Sequence, residues 1–368
     1  MKTIRRLIYG EVLYAVAFVT LGFLSLFFLF DLVEEIQSLG RPAAAGYGLI
    51  HALTYVTLMI PSHLYELLPI TVLIGTIFVM ARLAQSSEYT ILRTSGLGPW
   101  RALRTLLLLG LGFVLLTFAI GDYISPPADR SAQLLKARYQ GSITMGQTGA
   151  WLKEKQGYAQ YAVNVNALAS DGSMRGVRLF EFDNQGFLVS MAQAEAASFG
   201  ADESWSLSRV DRTEFPARGT DSARIDRTRI DSFRWSNQIS AEMVSAALLK
   251  PERMSTIDLF KYIRHLDANQ QTAQRYQIEF WRKVFYPLSC LVMVVLALPF
   301  AYLHFRSGGI ATYVFGGVMA GISFFLLNNV FGYIGNLQNW QPWLTAALPG
   351  MLYSLLSLTA FGWLVLRR

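Results

Sequence analysis

Long apolar stretches separated by short polar loops are the feature that most restricts how this chain can fold. A helix of about 20 apolar residues crosses the hydrocarbon core of a bilayer, which is about 30 Å thick. Only 15% of the residues are charged, whereas about 25% are charged in an average soluble domain. We therefore predict an α-helical membrane protein with six spans: Val12–Phe30, Leu49–Ala81, Thr105–Gly121, Val284–Leu303, Ile310–Ile334 and Trp343–Leu366.

The second apolar run, Leu49–Ala81, is longer than one span needs and contains Pro61, Glu66 and Pro69. It forms either one long kinked helix or two short ones. Loops rich in Lys and Arg stay on the cytoplasmic side of a membrane. Four arginines follow the run, which favours the side that holds the basic N-terminus and therefore a single kinked span: Arg82, Arg93, Arg101 and Arg104. For Glu66 we favour a position near the outer interface over a functional role.

The same charge rule predicts the orientation of the whole chain. The tail Arg367-Arg368 and the loop with His304 and Arg306 fall on the N-terminal side, and the loop Gly335–Pro342 on the opposite side has no charge. Both termini are therefore predicted in the cytoplasm and the central segment outside, whereas two short helices at Leu49–Ala81 would reverse the segment. The pI near 9.4 reflects basic membrane flanks more than a nucleic-acid surface.

The central segment is predicted to be an all-β domain inserted between spans three and four. Six short runs, several of them alternating in polarity, are separated by turn residues such as Asp171-Gly172, which is typical of an antiparallel sandwich or open roll. The runs are Trp151–Glu154, Ala159–Leu168, Gly176–Phe182, Phe187–Ala197, Ser204–Val210 and Arg224–Trp235. The predicted organisation is thus spans one to three in residues 1–123, the β domain in 124–240, a helical connector in 241–283, and spans four to six in 284–368.

Motifs that could indicate catalysis are incomplete. Gly141–Thr148 resembles a phosphate-binding P-loop but lacks its lysine, and the four histidines do not have the spacing of metal ligands. Cys290 lies alone within an apolar run. We predict no catalytic residues and no metal site, and hence no enzyme activity in this chain.

The polar segment after span two predicts a helix of two turns, about residues 86–95, at the cytoplasmic surface. Ser86 and Ser87 suit a helix N-cap, Glu88 suits the positive end of the helix dipole, and Gly96 supplies a stop. A simple amphipathic connector explains the same residues. In span five, Gly317 and Gly321 either let a neighbouring helix approach closely or reflect the ordinary glycine content of membrane helices.

Residues spread over nearly the whole chain form a specific order and spacing: Pro61 and Pro69, Leu83–Glu88, Ser95–Leu97, Gly149–Trp151, Tyr286-Pro287, Met293, Ala297–Phe300, Arg306 and Ala347–Pro349. In this order they resemble the LptF/LptG family of lipopolysaccharide export permeases. The exit from span two resembles the G-type subunit more than the F-type.

The resemblance implies a fold, a location and a set of partners. The β domain would be a periplasmic jellyroll, and the chain would lie in the bacterial inner membrane. Its partners would be an LptF-type sister permease, a cytoplasmic dimer of LptB-type ABC ATPases, a single-span LptC-type periplasmic protein and lipopolysaccharide. The chain itself would hold no cofactor, since ATP and Mg would be bound by the ATPase.

The resemblance also assigns roles to particular residues. Glu88 would contact the ATPase, with Tyr89 and Leu92 as packing neighbours. Basic residues near the outer mouth would bind the phosphates of lipid A; those that match here are Arg41, Arg130, Lys136 and Arg138. The chain departs from the family pattern in having Glu34-Glu35 at the end of span one, and these cations could instead pair with Glu34, Glu35 or Asp129.

A protein of a different class remains as the alternative. A membrane-anchored assembly or signalling protein would use its spans as anchors and its β domain to bind a protein partner. The presence or absence of a co-purifying ATPase distinguishes the two.

Overall fold

The computed structural model describes residues 2–38, 47–140, 143–144, 150–156, 159–169, 173–200, 204–216, 225–236, 244, 251–302 and 310–363. At some of these positions, Arg138 among them, only the backbone is described. The chain divides into two compact units. The first comprises residues 1–33, 59–128 and 277–368, and the second comprises residues 34–58 and 129–276.

Ten helices are described. Their bounds are α1 Lys2–Ser38, α2 Leu49–Gln85, α3 Glu88–Thr94, α4 Pro99–Ala119, α5 Ser125–Gln140, α6 Thr256–Ala268, α7 Gln274–Phe285, α8 Ser289–Ala297, α9 Ile310–Leu337 and α10 Pro342–Phe361. Within the described ranges, five helices are long and apolar enough to span a membrane, and a bent pair supplies a sixth. The predicted number of six spans is matched when the bent pair counts as one span.

The second apolar run forms one continuous helix, α2, with Pro61 and Pro69 inside it. The single-span prediction is therefore confirmed. The predicted third span, Thr105–Gly121, belongs to a longer helical stretch, because α4 continues through a π-helical turn, Ile120–Ile124, into α5. Although a Pro-Pro pair usually ends a helix, Pro126-Pro127 does not break this one. The two prolines lie in the first turn of α5, where a missing N–H group is tolerated.

The predicted fourth span, Val284–Leu303, is bent rather than straight. Helices α7 and α8 meet at an angle of 46°, and α8 ends in a 3₁₀ turn, Leu298–Tyr302. Pro287 lies in the break. A proline cannot donate a backbone hydrogen bond and its ring clashes with the preceding helical turn, so a bend here follows from the sequence.

Glycines allow the helices of the first unit to approach closely. A Cβ atom built on Gly317 would lie 2.7 Å from Cδ1 of Ile77, and one on Gly321 would lie 2.7 Å from Cγ2 of Ile70. The glycine pair of span five therefore faces α2 of the same chain, which confirms the close-approach prediction. Gly75 of α2 leaves less room for adjustment, because its Cβ would lie 2.8 Å from a backbone atom, the nitrogen of Val16 in α1.

Gly75→Ala is expected to destabilise the chain by about 1–3 kcal/mol, the usual cost of overpacking a close contact. The added methyl group would meet backbone, which cannot rotate away as a side chain can. Gly112→Ala is the matched control, since a Cβ there meets no atom within 4 Å. Thermal unfolding in detergent should show a lower midpoint for Gly75→Ala alone. Equal midpoints for the two variants would contradict the tight α1–α2 contact.

The second unit contains one antiparallel sheet of seven described strands. The strands are β1 Ile143–Thr144, β2 Ala150–Gln156, β3 Ala159–Leu168, β4 Met174–Phe182, β5 Leu188–Phe199, β6 Ser204–Glu214 and β7 Asp226–Ser236. Successive strands from β3 to β7 are neighbours, and both β1 and β2 pair with β3. All six predicted strands are present, so a helical membrane protein with an inserted β domain is confirmed.

The regular backbone of two strands is interrupted at Gly176 in β4 and at Arg209 in β6, which have φ angles of 62° and 51°. In this left-handed conformation a strand residue disrupts the regular alternation, so the buried side chains change parity on either side of it. In β4, Met174 is buried before Gly176, and Val177 and Leu179 are buried after it. In β6, Trp205 and Leu207 are buried before Arg209, and Val210 is buried after it. The sheet thereby keeps one apolar face although it bends.

Candidate functional site at the short helix α3

Helix α3 begins immediately after α2 at a turn of two serines. Ser87 occupies the N-cap position with φ 61°, and its side chain makes no capping hydrogen bond. The predicted serine cap is thus wrong, since a side-chain cap requires an extended backbone at this position. The Ser86 hydroxyl instead donates back to the Arg82 carbonyl of α2 at 3.1 Å.

The end of α3 is closed as the sequence predicts. The Leu97 N–H group donates to the Leu92 carbonyl at 3.0 Å, and the Gly96 N–H group donates to the Arg93 carbonyl at 3.1 Å. This pair of bonds is a Schellman motif, which requires a left-handed residue; Gly96 supplies it with φ 102°. The Arg101 guanidinium also donates to the Gly96 carbonyl at 2.9 Å. The helix has two turns, as predicted.

The two faces of α3 have opposite character. Tyr89 is 3% exposed and Leu92 packs against the core of the first unit. On the other face Glu88 is exposed, and Ile91 is 62% exposed although it is apolar. An exposed apolar side chain beside a carboxylate is suited to binding a protein partner, since the opposite face of the helix is already packed against the core.

Tyr89 acts through packing. Burial, followed by the neighbouring Tyr302 phenol, raises the pKa of Tyr89 well above its ordinary value. The phenol is therefore neutral at any physiological pH. Its ring meets the Tyr302 ring edge to face, with 5.1 Å between the centroids. Tyr89 thus packs against Tyr302 of the same chain. The coupling role of Glu88, Tyr89 and Leu92 toward an ATPase stays a prediction.

Sequence reasoning missed three contacts of this site. The Tyr302 ring lies against both Tyr89 and Arg93, and Glu11 forms an ion pair with Arg82 at 2.6 Å, joining α1 to the end of α2. Tyr302 lies more than 200 residues along the chain from α3, so no local pattern could have indicated the contact. Glu11, a charge at the edge of the first apolar run, was a signal that could have been followed.

The predicted phosphate-binding cations are placed in different ways. Arg41 lies outside the described residues, and Arg138 is described only as backbone in α5. Arg130 is exposed on α5. The Lys136 ammonium donates to the Glu35 carboxylate at 2.9 Å and lies 4.7 Å from the centroid of the Tyr55 ring. Lys136 therefore forms the ion pair raised as the alternative, and phosphate binding by these cations stays a prediction.

An aromatic cluster of the second unit surrounds the start of α2 and the end of α5. The Gly48 N–H group donates to Nδ1 of His51 at 3.1 Å, so a neutral His51 carries its proton on Nε2 and donates to the Tyr139 hydroxyl at 2.6 Å. Burial, and then the nearby Glu35 carboxylate, raises the pKa of Tyr47 above its ordinary value. A hydrogen-bonded aromatic cluster thus lies in the same unit as the Lys136–Glu35 pair.

Polar residues within the spans are bonded to neighbouring helices. His63 of α2 pairs with Asp31 of α1 at 2.6 Å, and Lys283 of α7 donates to the Gly121 carbonyl at 3.1 Å. Glu66 is exposed on α2, and its carbonyl accepts a hydrogen bond from Tyr286. The P-loop-like segment 141–148 lies outside the described residues except for Ile143-Thr144. No cluster of metal ligands occurs in the described part of the chain.

Comparison with known proteins identifies the family. The family "Lipopolysaccharide export system permease LptF/LptG" matches residues 6–366. The chain is 27% identical over 343 residues to the lipopolysaccharide export system permease protein LptG of Escherichia coli K12, covering 92% of each chain. It is 26% identical over 371 residues to the LptG protein of Haemophilus influenzae Rd, covering 100% of this chain and 99% of the relative. With a match over nearly its whole length, the chain is a member of the LptF/LptG family of lipopolysaccharide export permeases.

Proposed function

We propose that this chain is the permease subunit of an ABC transporter that extracts lipopolysaccharide from the inner membrane and passes it to a periplasmic bridge toward the outer membrane. The observation that carries the proposal is the geometry of α3 in a chain of this family. A two-turn helix between two spans buries Tyr89 and presents Glu88 to solvent. Such a helix can receive a force from a docked protein and pass it to the spans.

The finer assignments follow from charge and family. Basic residues flank the ends of the spans on one side, which supports cytoplasmic termini and a periplasmic β domain. The partners we propose are an LptF-type permease, an LptB-type ATPase dimer and an LptC-type accessory protein. ATP and Mg would bind to the ATPase, and this chain would contribute transport without catalysis of its own.

The mechanism we propose is mechanical. Closure of the ATPase dimer pushes α3, the apolar cavity between the two permeases narrows, and a bound lipopolysaccharide is expelled toward the periplasm. Its acyl chains then need shelter from water, since each exposed methylene costs about 0.8 kcal/mol. The sheet has an apolar face for this, in which one row runs across four strands: Leu152, Val163, Leu179 and Ala192. Because these side chains are buried within the domain, we propose that the domain opens to admit an acyl chain during transport.

Co-purification and transport test this function together. The chain, expressed with its sister permease and ATPase, should retain the ATPase in mild detergent and release lipopolysaccharide from vesicles in the presence of ATP. ATP with a hydrolysis-deficient ATPase is the control and should give no release. A purified complex without an ATPase, or release that does not require hydrolysis, would favour the anchored assembly protein instead.

A further inference from the structure

We propose that the contact between Tyr302 and α3 transmits the movement of α3 to span four. Span four then carries the mechanical coupling into the membrane. The inference rests on the proposed function and adds a positioning residue and a route to it. Tyr302 ends the 3₁₀ turn that follows α8 and is 6% exposed.

Two residues of α3 hold the Tyr302 ring. Tyr89 meets it edge to face at 5.1 Å, and the Arg93 guanidinium carbon lies 5.8 Å from its centroid, within the range of a cation–π contact. Tyr89 and Arg93 are four residues apart, which places them on one face of α3 in successive turns. A rotation or translation of α3 therefore moves both contacts together, and the ring with them.

The backbone links of α3 transmit force less directly than this contact does. The helix is flanked by Ser87 and Gly96, both with left-handed φ angles, and α4 begins after Gly98. Links of two and four residues with such backbone geometry can absorb rotation as hinges do. The packed contacts of Tyr89 and Leu92 with the core of the first unit cannot, since a close-packed core transmits strain.

Span four consists of two helical halves that can respond to this movement. Its second half, α8, packs tightly on α4: Cys290 lies 3.4 Å from the Thr117 hydroxyl, and a Cβ on Gly110 would lie 3.0 Å from Leu291. Its first half, α7, is separated from α8 by the 46° bend. The two halves can therefore change their angle without either one unwinding.

The first half of span four, α7, is held by the buried ammonium group of Lys283. Lys283 is 5% exposed and donates to the Gly121 carbonyl at 3.1 Å, within the π-helical turn Ile120–Ile124 of the third span. A π turn offsets the backbone bonding pattern, and such turns are common where helices must adapt. Movement applied at Tyr302 thus acts against a fixed point at Lys283, with the bend at Pro287 between them.

The test compares Tyr302→Leu with Tyr302→Phe in the complete complex in vesicles. Phenylalanine keeps the ring that Tyr89 and Arg93 contact, whereas leucine removes it. We expect Tyr302→Leu to retain the ATPase and its hydrolysis rate but to lower lipopolysaccharide released per ATP by about 10-fold, within the range of coupling changes from single residues. Tyr302→Phe should release lipopolysaccharide as the parent does. If Tyr302→Leu unfolds, Tyr302→Met takes its place, because methionine also lacks the ring and its flexible side chain fills irregular gaps in a core.

A double variant sharpens the result. If Tyr89 and Tyr302 act through one contact, Tyr89→Leu combined with Tyr302→Leu should lose about as much coupling as either change alone. Losses that multiply would overturn the proposal. So would parent-like release by Tyr302→Leu, an equal loss in Tyr302→Phe, or detachment of the ATPase by Tyr302→Leu. Release by the parent complex, measured in the same vesicles, tests the proposed function separately.

Discussion

Glu88→Lys is expected to abolish ATP-driven export while leaving the chain folded in the membrane. Glu88 is exposed at the first position of α3, and the family resemblance assigns it the contact with the ATPase. Truncating one partner of a charged contact across an interface costs about 2–5 kcal/mol, and reversal of the charge adds repulsion. The ATPase retained by the purified permease should fall by more than about 30-fold.

Local helix stability cannot account for a loss of that size. A carboxylate at a helix N-terminus contributes about 0.3–1 kcal/mol through the dipole. Thr94→Lys is the matched control, because it places a lysine at another exposed position of the same helix. Glu88→Gln should give an intermediate loss. If Glu88→Lys retains the ATPase as Thr94→Lys does, the coupling role of Glu88 is contradicted.

Lys136→Ala is expected to destabilise the chain by about 3 kcal/mol, the lower end of the cost of breaking a buried ion pair. The Glu35 side chain is 5% exposed and the Lys136 side chain 32% exposed. Removal of the ammonium takes away the cation that lies 2.9 Å from this buried carboxylate. Thermal unfolding of the purified chain in lipid-free detergent should show a lower midpoint.

The remaining variants separate the ion pair from phosphate binding. Glu35→Met combined with Lys136→Met should recover most of the stability, because an apolar pair replaces a charged one without leaving a buried charge. Arg130→Ala, at an exposed position of α5, should unfold as the parent does. An unchanged midpoint for Lys136→Ala, together with reduced crosslinking to lipopolysaccharide, would instead favour a direct phosphate contact.

The sequence allowed prediction of elements whose residues carry their own signal. The spans follow from apolar length, α2 follows as one helix from the arginines after it, and the strands follow from alternation and turn residues. The end of α3 was predictable because Gly96 has few other uses in such a position. Each of these depends on neighbours in sequence.

Contacts between distant segments could not be predicted in this way. The Pro126-Pro127 pair indicated a break, but the π turn before it places both prolines where a helix accepts them. Lys136 had two possible roles, and only the fold brings it to Glu35, 101 residues away. Tyr302 carried no signal at all, since its importance comes from the two α3 residues that lie against it.

Photo-crosslinking on the sheet tests most directly whether nucleotide hydrolysis moves lipopolysaccharide through this chain. A photoreactive residue in place of Leu179, on the buried apolar face of β4, should capture lipopolysaccharide only with ATP and a hydrolysis-competent ATPase. The same residue in place of Arg178, exposed on the opposite face of the strand, should capture none. Capture at Leu179 that is absent, or that is equal without hydrolysis, would contradict the account.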